Sequence, residues 1–168
     1  MRYALAGAAL TLASCAPSSP LPADPAAHLD PIAFFTGHTH GNAILRKAFS
    51  SAVKVHVDSV GRSDGHGGLI LDQVIREGGK PARQRRWLFR SDGHGSYRGS
   101  LTDAVGPVAF VVAGPRATIR YRMKNGMEVE QQLALQRDPR LVINRLTVTK
   151  FGLRLATLDE QIRKQDRR

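Results

Sequence analysis

From Val53 onward, apolar and polar residues alternate with a period of two. Val53, Val55 and Val57 interleave with Lys54, His56 and Asp58; Ile119, Tyr121 and Met123 interleave with Thr118, Arg120 and Arg122. Met127, Val129, Gln131, Leu133 and Leu135 interleave with Glu128, Glu130, Gln132 and Ala134. Successive side chains of a strand point to opposite faces, so each run predicts a strand with one face on a core and one in water. Less regular strands are predicted at 34–42, 68–76, 84–90, 97–103, 107–113, 141–149 and 153–162. The charged stretch 159–165 reads either as a short C-terminal helix or as a continuation of the last strand. Between the runs stand Ser63-Asp64-Gly65, Gly78-Gly79-Lys80-Pro81, Ser91-Asp92-Gly93, Gly114-Pro115 and Lys124-Asn125-Gly126. Asp-Gly and Asn-Gly supply the positive φ of tight hairpins. The pattern therefore predicts an all-β, antiparallel up-and-down barrel of about 8–10 strands, since closure removes exposed sheet edges.

The first thirty residues follow a different logic. Met1-Arg2-Tyr3 precedes an apolar run at 4–12 that ends in Leu12-Ala13-Ser14-Cys15. A basic start, a short apolar run and small residues mark an export signal, and the run falls short of the ~20 residues a spanning helix needs. Leu12 to Cys15 resembles the bacterial lipobox, in which the Cys thiol is acylated. The expected division is a signal peptide at 1–14, lipidated Cys15 with a Pro-rich tether at 15–30, and one domain at 31–168, with folding beginning near Leu29 to Phe35. The lone cysteine cannot form a disulfide within the chain, so stability must come from the core. Expected localisation is the bacterial cell envelope, lipid-anchored, at the outer membrane facing the periplasm.

Charge changes the picture only in part. The formal net charge is +11. In a cytosolic chain this would suggest nucleic acid; in an exported one the anions at hand are lipid headgroups, and no nucleic-acid partner is expected.

Candidate chemistry is sparse. His38 and His40, at i and i+2 on one strand face, are weak candidates for a metal site, with His56, His66 or His94 as a third ligand. Gly61-Arg62-Ser63-Asp64-Gly65 formally matches G-x-S-x-G, but that elbow requires a strand-to-helix turn, and a strand follows here. The stretch Ser-Asp-Gly-His-Gly occurs at 63–67 and again at 91–95, each between predicted strands, and so reads as two hairpin turns. No Walker or G-x-G-x-x-G loop is present, and no cofactor is expected. The basic segment at 83–90 places Arg83, Arg85, Trp87 and Phe89 on one face, within reach of guanidinium–indole stacking, and Asp72 and Asp103 are candidate partners for its arginines.

From Gly68-Leu69-Ile70-Leu71-Asp72-Gln73 through Arg85-Arg86-Trp87, then Tyr97, Gly99, Asp103, Val105, Gly106, Tyr121, Asn144-Arg145 and Lys150-Phe151-Gly152, the chain resembles an uncharacterised bacterial lipoprotein family, domain of unknown function 3833. The resemblance implies a periplasm-facing lipoprotein with a lipocalin-like barrel and no known reaction. Ala16 after the cysteine is similar to the pattern of lipoproteins sorted to the outer membrane. Two stretches depart from the family: Gln73 stands where an acidic residue is usual, and 135–138 replaces an Asp-Asp-Trp-Met stretch. The lipocalin G-x-W signature is also missing.

The expected function is a lipid-anchored, non-enzymatic barrel that binds a lipid or other amphipathic molecule. Trp87, Phe89, Tyr97, Tyr121 and Met123 are the candidate ligand-binding residues, and Arg85 and Arg120 the candidate head-group partners. The alternative is an envelope scaffold whose basic face contacts anionic lipid or a partner protein.

Overall fold

The computed structural model describes residues 19–166, so Cys15 and the signal expected before it lie outside the described residues. A short helix α1, Pro31–Phe35, precedes ten strands: β1, Gly37–Lys47; β2, Val53–Ser63; β3, Gly68–Glu77; β4, Arg83–Gly93; β5, Ser96–Leu101; β6, Ala104–Ala113; β7, Arg116–Met123; β8, Glu128–Leu135; β9, Leu141–Lys150; and β10, Leu153–Lys164. Each strand pairs antiparallel with its neighbours in sequence, and β1 pairs with β10 to close the barrel. The alternation visible in the sequence is the in–out alternation of the wall. On β2, Val55, Val57 and Ser59 are buried while Lys54, His56 and Val60 are exposed.

The short C-terminal helix does not form; of the two readings of 159–165 the strand holds, since β10 runs on to Lys164, with Leu158, Glu160 and Ile162 turned inward against β9. The single helix among the described residues lies near the start of the fold and overlaps the strand that the sequence pattern predicts over 34–42; β1 starts only at Gly37. Asp30 supplies the helix cap, its carboxylate accepting from the Ala33 N–H at 3.0 Å, and Pro31 fits the first turn, where an N–H would be orphaned.

The helix and the segment before it plug one end of the barrel. Phe34 and Phe35 are buried there at 5.0 Å, edge to face. Leu21 is buried too, although it falls in the region expected to be tether. Its carbonyl accepts from the Arg116 guanidinium at 3.1 Å, the Asp24 N–H donates to Leu135 O, and the Leu29 N–H donates to Gly114 O. The chain is thus docked from Leu21 onward, not from Leu29.

At the opposite end the barrel is open, ringed by the β1–β2, β3–β4, β5–β6, β7–β8 and β9–β10 connections. Buried apolar residues form two separate clusters. The larger surrounds the plug and includes Leu69, Phe89, Phe110 and Leu133; the smaller comprises Ala43, Val55, Val57 and Ile75 on the wall near the opening. They do not merge because a cavity lies between them.

Outside, the charged residues form cross-strand pairs. Asp72 holds Arg86 and Arg62, Asp159 holds Arg46 and Arg145, and Glu130 holds Arg120. The two guanidinium groups on Asp72, Arg86 foremost, pull its carboxyl down to about 2. Exposed pairs like these contribute about 0–1 kcal/mol each; they fix the outward face as polar more than they stabilise it.

Candidate functional site

The cavity has a volume of about 400 Å³, within the range of small-molecule sites. Its upper wall is apolar, with Leu45, Val55, Ile75, Leu146, Val148 and Leu158. Phe35, Phe89 and Phe110 form its floor towards the plug. Between them, inward positions that would ordinarily carry aliphatic side chains carry Gln73, Arg85, Gln131, Asn144 and Glu160.

All but Arg85 are tied by side-chain hydrogen bonds. The Trp87 indole N–H donates to Gln73 Oε1 at 2.7 Å, and Gln73 Nε2 donates to Ser59 Oγ at 3.1 Å. Gln131 Nε2 donates to the Tyr121 hydroxyl at 3.3 Å, and Tyr121 meets the Trp87 ring edge to face at 5.6 Å. Asn144 Nδ2 donates to Glu160 Oε2 at 2.8 Å. Burial pushes the Glu160 carboxyl up from its ordinary value, against the opposing pull of Asn144, Arg85 and His40. Gly41 on β1 makes room for it, since a Cβ at that position would run into the carboxyl.

Arg85 is a cation on the inner wall of the barrel. Its side chain is only 13% exposed, its guanidinium lies 5.7 Å from the Trp87 ring centre, and the nearest carboxylate oxygen, on Asp103, is 3.9 Å from Nε. Two buried polar atoms on the cavity wall have no hydrogen-bond partner: Arg85 Nε, a donor, and Asn144 Oδ1, an acceptor. Buried polar groups are nearly always satisfied; both residues line the cavity, while these two atoms themselves are covered by neighbouring groups. Chemically, the cavity combines aliphatic and aromatic walls with a polar belt that includes the Arg85 guanidinium, and Lys47, Glu77, Arg83 and Asp103 also line it.

The candidate residues divide accordingly. Trp87, Phe89, Tyr121, Met123 and Arg85 line the cavity. Tyr97 does not; it packs in the plug against Phe110 at 5.3 Å and Phe89 at 6.4 Å, where burial raises its hydroxyl above the ordinary value. Arg120 points outward to Glu130 at 2.8 Å and cannot meet a head group inside. Its position directly before inward Tyr121 requires this in a strand of period two. His38 and His40 share the outer face of β1; His40 Nδ1 lies 2.7 Å from Asp58 Oδ1, and its ring stacks with His56 at 6.2 Å. No group of three metal-ligating side chains occurs among the described residues. Both Ser-Asp-Gly-His-Gly copies are hairpin turns at the plugged end. In the first, Asp64 accepts from Arg90 and from the His66 and Gly68 N–H groups, which hold its carboxyl well below the usual range. Asp72 and Asp103 engage Arg86 and Arg83.

Sequence reasoning missed Gln131, Asn144 and Glu160. Gln131 left a signal, as the one polar residue sharing a face with Val129, Leu133 and Leu135. Glu160 left none, standing among the charged and polar residues of 159–165.

The comparisons bear on the fold first. The S-type phycobiliprotein lyase CPES from Guillardia theta superposes with a TM-score of 0.64 at 7% identity, over 82% of this chain and 92% of that one. Rv2717c from M. tuberculosis superposes with a TM-score of 0.59 at 12% identity, over 82% of this chain and 99% of that one. At such identities the likeness establishes the lipocalin-like barrel alone. No curated protein matches. The expectation that the chain is not an enzyme is overturned: a lyase is built on this barrel, so missing hydrolase, zinc and nucleotide motifs do not exclude catalysis. The family model described as "Protein of unknown function (DUF3833)" matches residues 9–164.

Proposed function

The chain belongs to that DUF3833 family of unknown function, and from this premise we propose that its barrel binds an amphipathic small molecule with one anionic head. The head meets Arg85, and the hydrocarbon body lies against Val55, Ile75, Leu146 and Leu158. The observation that carries this reading is the Arg85 side chain on the wall of a 400 Å³ hollow, with no carboxylate oxygen closer to its Nε than Asp103 at 3.9 Å and with aliphatic residues lining the space above it. A charged donor bonded to an ionised acceptor contributes about 1.5–3 kcal/mol, and the aliphatic walls add roughly 25 cal/mol for each Å² of ligand surface removed from water. Isothermal titration of the full chain with a single-chain fatty carboxylate, and with the matching alcohol, tests it. Saturable one-to-one binding that favours the carboxylate supports the proposal; equal binding, or none, refutes it.

The proposal includes an address. The protein is exported and held in the cell envelope by acyl chains on Cys15, a reading supported by Leu12-Ala13-Ser14-Cys15 after an apolar run and by the Pro-rich segment that follows. Mass measurement of the N-terminal peptide from the native host tests this part independently. An acylated Cys15 at the mature N-terminus is expected, and an unmodified thiol refutes it.

A further inference from the structure

We propose that the open end of the barrel docks on an anionic lipid surface, with Phe49 and Phe151 entering the interface. It rests on the binding reading only in naming the surface that the cavity mouth faces.

Among the described residues, three that are not glycine have positive φ: Phe49 at 60°, His94 at 51° and Phe151 at 51°. Two of the three are phenylalanines on neighbouring loops at the open end, and they are 108% and 92% exposed. Phe151 occupies the first central position of a two-residue turn, Phe151-Gly152, between the paired residues Lys150 and Leu153, where asparagine, aspartate or glycine is usual. Phe49 occupies the third position of a turn closed by the Ser50 N–H on Lys47 O at 3.3 Å, again a place for glycine. Both loops therefore break two local rules at once, a bulky side chain in the left-handed region and an aromatic ring left in water. Neither ring packs on the barrel, so the fold gains nothing from them. The β1–β2 loop is also tied to β10, since the Ala48 N–H donates to Leu155 O at 2.9 Å. Leu153, 69% exposed, extends the apolar tip.

The charge around these tips selects the partner. Glu77, Asp103 and Glu128, the carboxylates of this end, are engaged by Lys47 and Lys80, by Arg83, and by Arg122. Lys54, Lys124, Lys150 and Arg154 have no carboxylate partner among the described residues, and Lys150 lies 5.6 Å from the Phe151 ring centre. Convex aromatic tips collared by uncompensated cations suit an interface of acyl chains beneath phosphates. A stable protein partner needs a broad complementary patch of about 800 Å², which two hairpin tips do not present.

The test uses the full chain with Phe151→Trp in a Trp87→Phe background, so that the single indole sits at the tip. On vesicles rich in phosphatidylglycerol, its emission should shift to the blue and be quenched by lipids brominated along the acyl chain. Both effects should be much weaker on phosphatidylcholine and should fall as salt rises. Neutralising Lys54, Lys124, Lys150 and Arg154 should lower vesicle affinity roughly fivefold per cation. An indole that stays in water on anionic vesicles overturns the proposal. A blue shift that grows with protein concentration without lipid also overturns it, because the tips then cover each other in a second copy. If the double variant does not fold, Phe151→Trp alone is read against the wild-type chain, whose Trp87 is enclosed in the barrel. The tip indole reports insertion of the loop whether or not a lipid enters the cavity, so failure here leaves the binding proposal standing, and failed titration of the cavity leaves this one standing.

Discussion

Replacing Phe151 with asparagine should make the protein more stable while removing an aromatic ring. The ring is 92% exposed, so no burial is lost. The ring meets the Lys150 ammonium at 5.6 Å, and an exposed cation–π pair contributes about 0.5–1 kcal/mol. Against that stands the backbone at φ 51°. The left-handed region costs an ordinary L-residue about 1–2 kcal/mol, whereas asparagine enters it readily, and Asn-Gly is a favoured pair for this turn. The balance is about 1 kcal/mol in favour of Phe151→Asn, or a rise in Tm of ~2–4 °C for a domain of this size. Thermal and urea unfolding of the full chain in lipid-free buffer measures it. An unchanged or lowered midpoint would refute the reasoning, because it would mean that the ring packs on the fold or that the turn is not left-handed at this residue.

Other substitutions test the polar belt. Gln73→Leu leaves the buried Trp87 N–H without its acceptor and should destabilise the chain by about 1–3 kcal/mol in urea; no loss would show that the bond is dispensable. For Glu160, burial raises the carboxyl pKa, so the folded chain keeps a proton that the unfolded chain releases, and stability falls as pH rises above the ordinary value near 4.5. Glu160→Gln should therefore be more stable than wild type at neutral pH, with the gap closing below about pH 4.5; a gap independent of pH would contradict the assignment. Arg85→Met should weaken a fatty carboxylate by roughly 10–100-fold and leave the matching alcohol nearly unaffected, as read by titration; equal losses for both would point to collapse of the cavity instead.

The wall of the barrel was largely legible in the sequence, because each strand has one buried face and one wet face. Val53 to Asp58, Thr118 to Met123 and Val129 to Leu135 show the period directly. The same period also argued against Arg120 as an internal head-group partner once Tyr121 was placed inside. Helix α1 is five residues long, too short to show a helical period, so only Asp30-Pro31 marked its start. Glu160 and Asn144 were hidden because a polar residue inside the barrel looks like one outside until the register of β9 and β10 is known. Hollowness was not legible at all. It depends on how ten strands set the circumference and how far the inward side chains, Gly41 and Ala43 among them, fall short of filling it.

The central claim, that the barrel holds an amphipathic molecule by its anionic head, is tested most directly by a crystal of the protein grown with a fatty carboxylate brominated along its chain. Carboxylate density is expected within hydrogen-bond distance of the Arg85 guanidinium, with an anomalous bromine peak inside the cavity against Val55, Ile75, Leu146 and Leu158. A bromine peak confined to the outer surface, or an interior filled only by ordered water at saturating ligand, would contradict it.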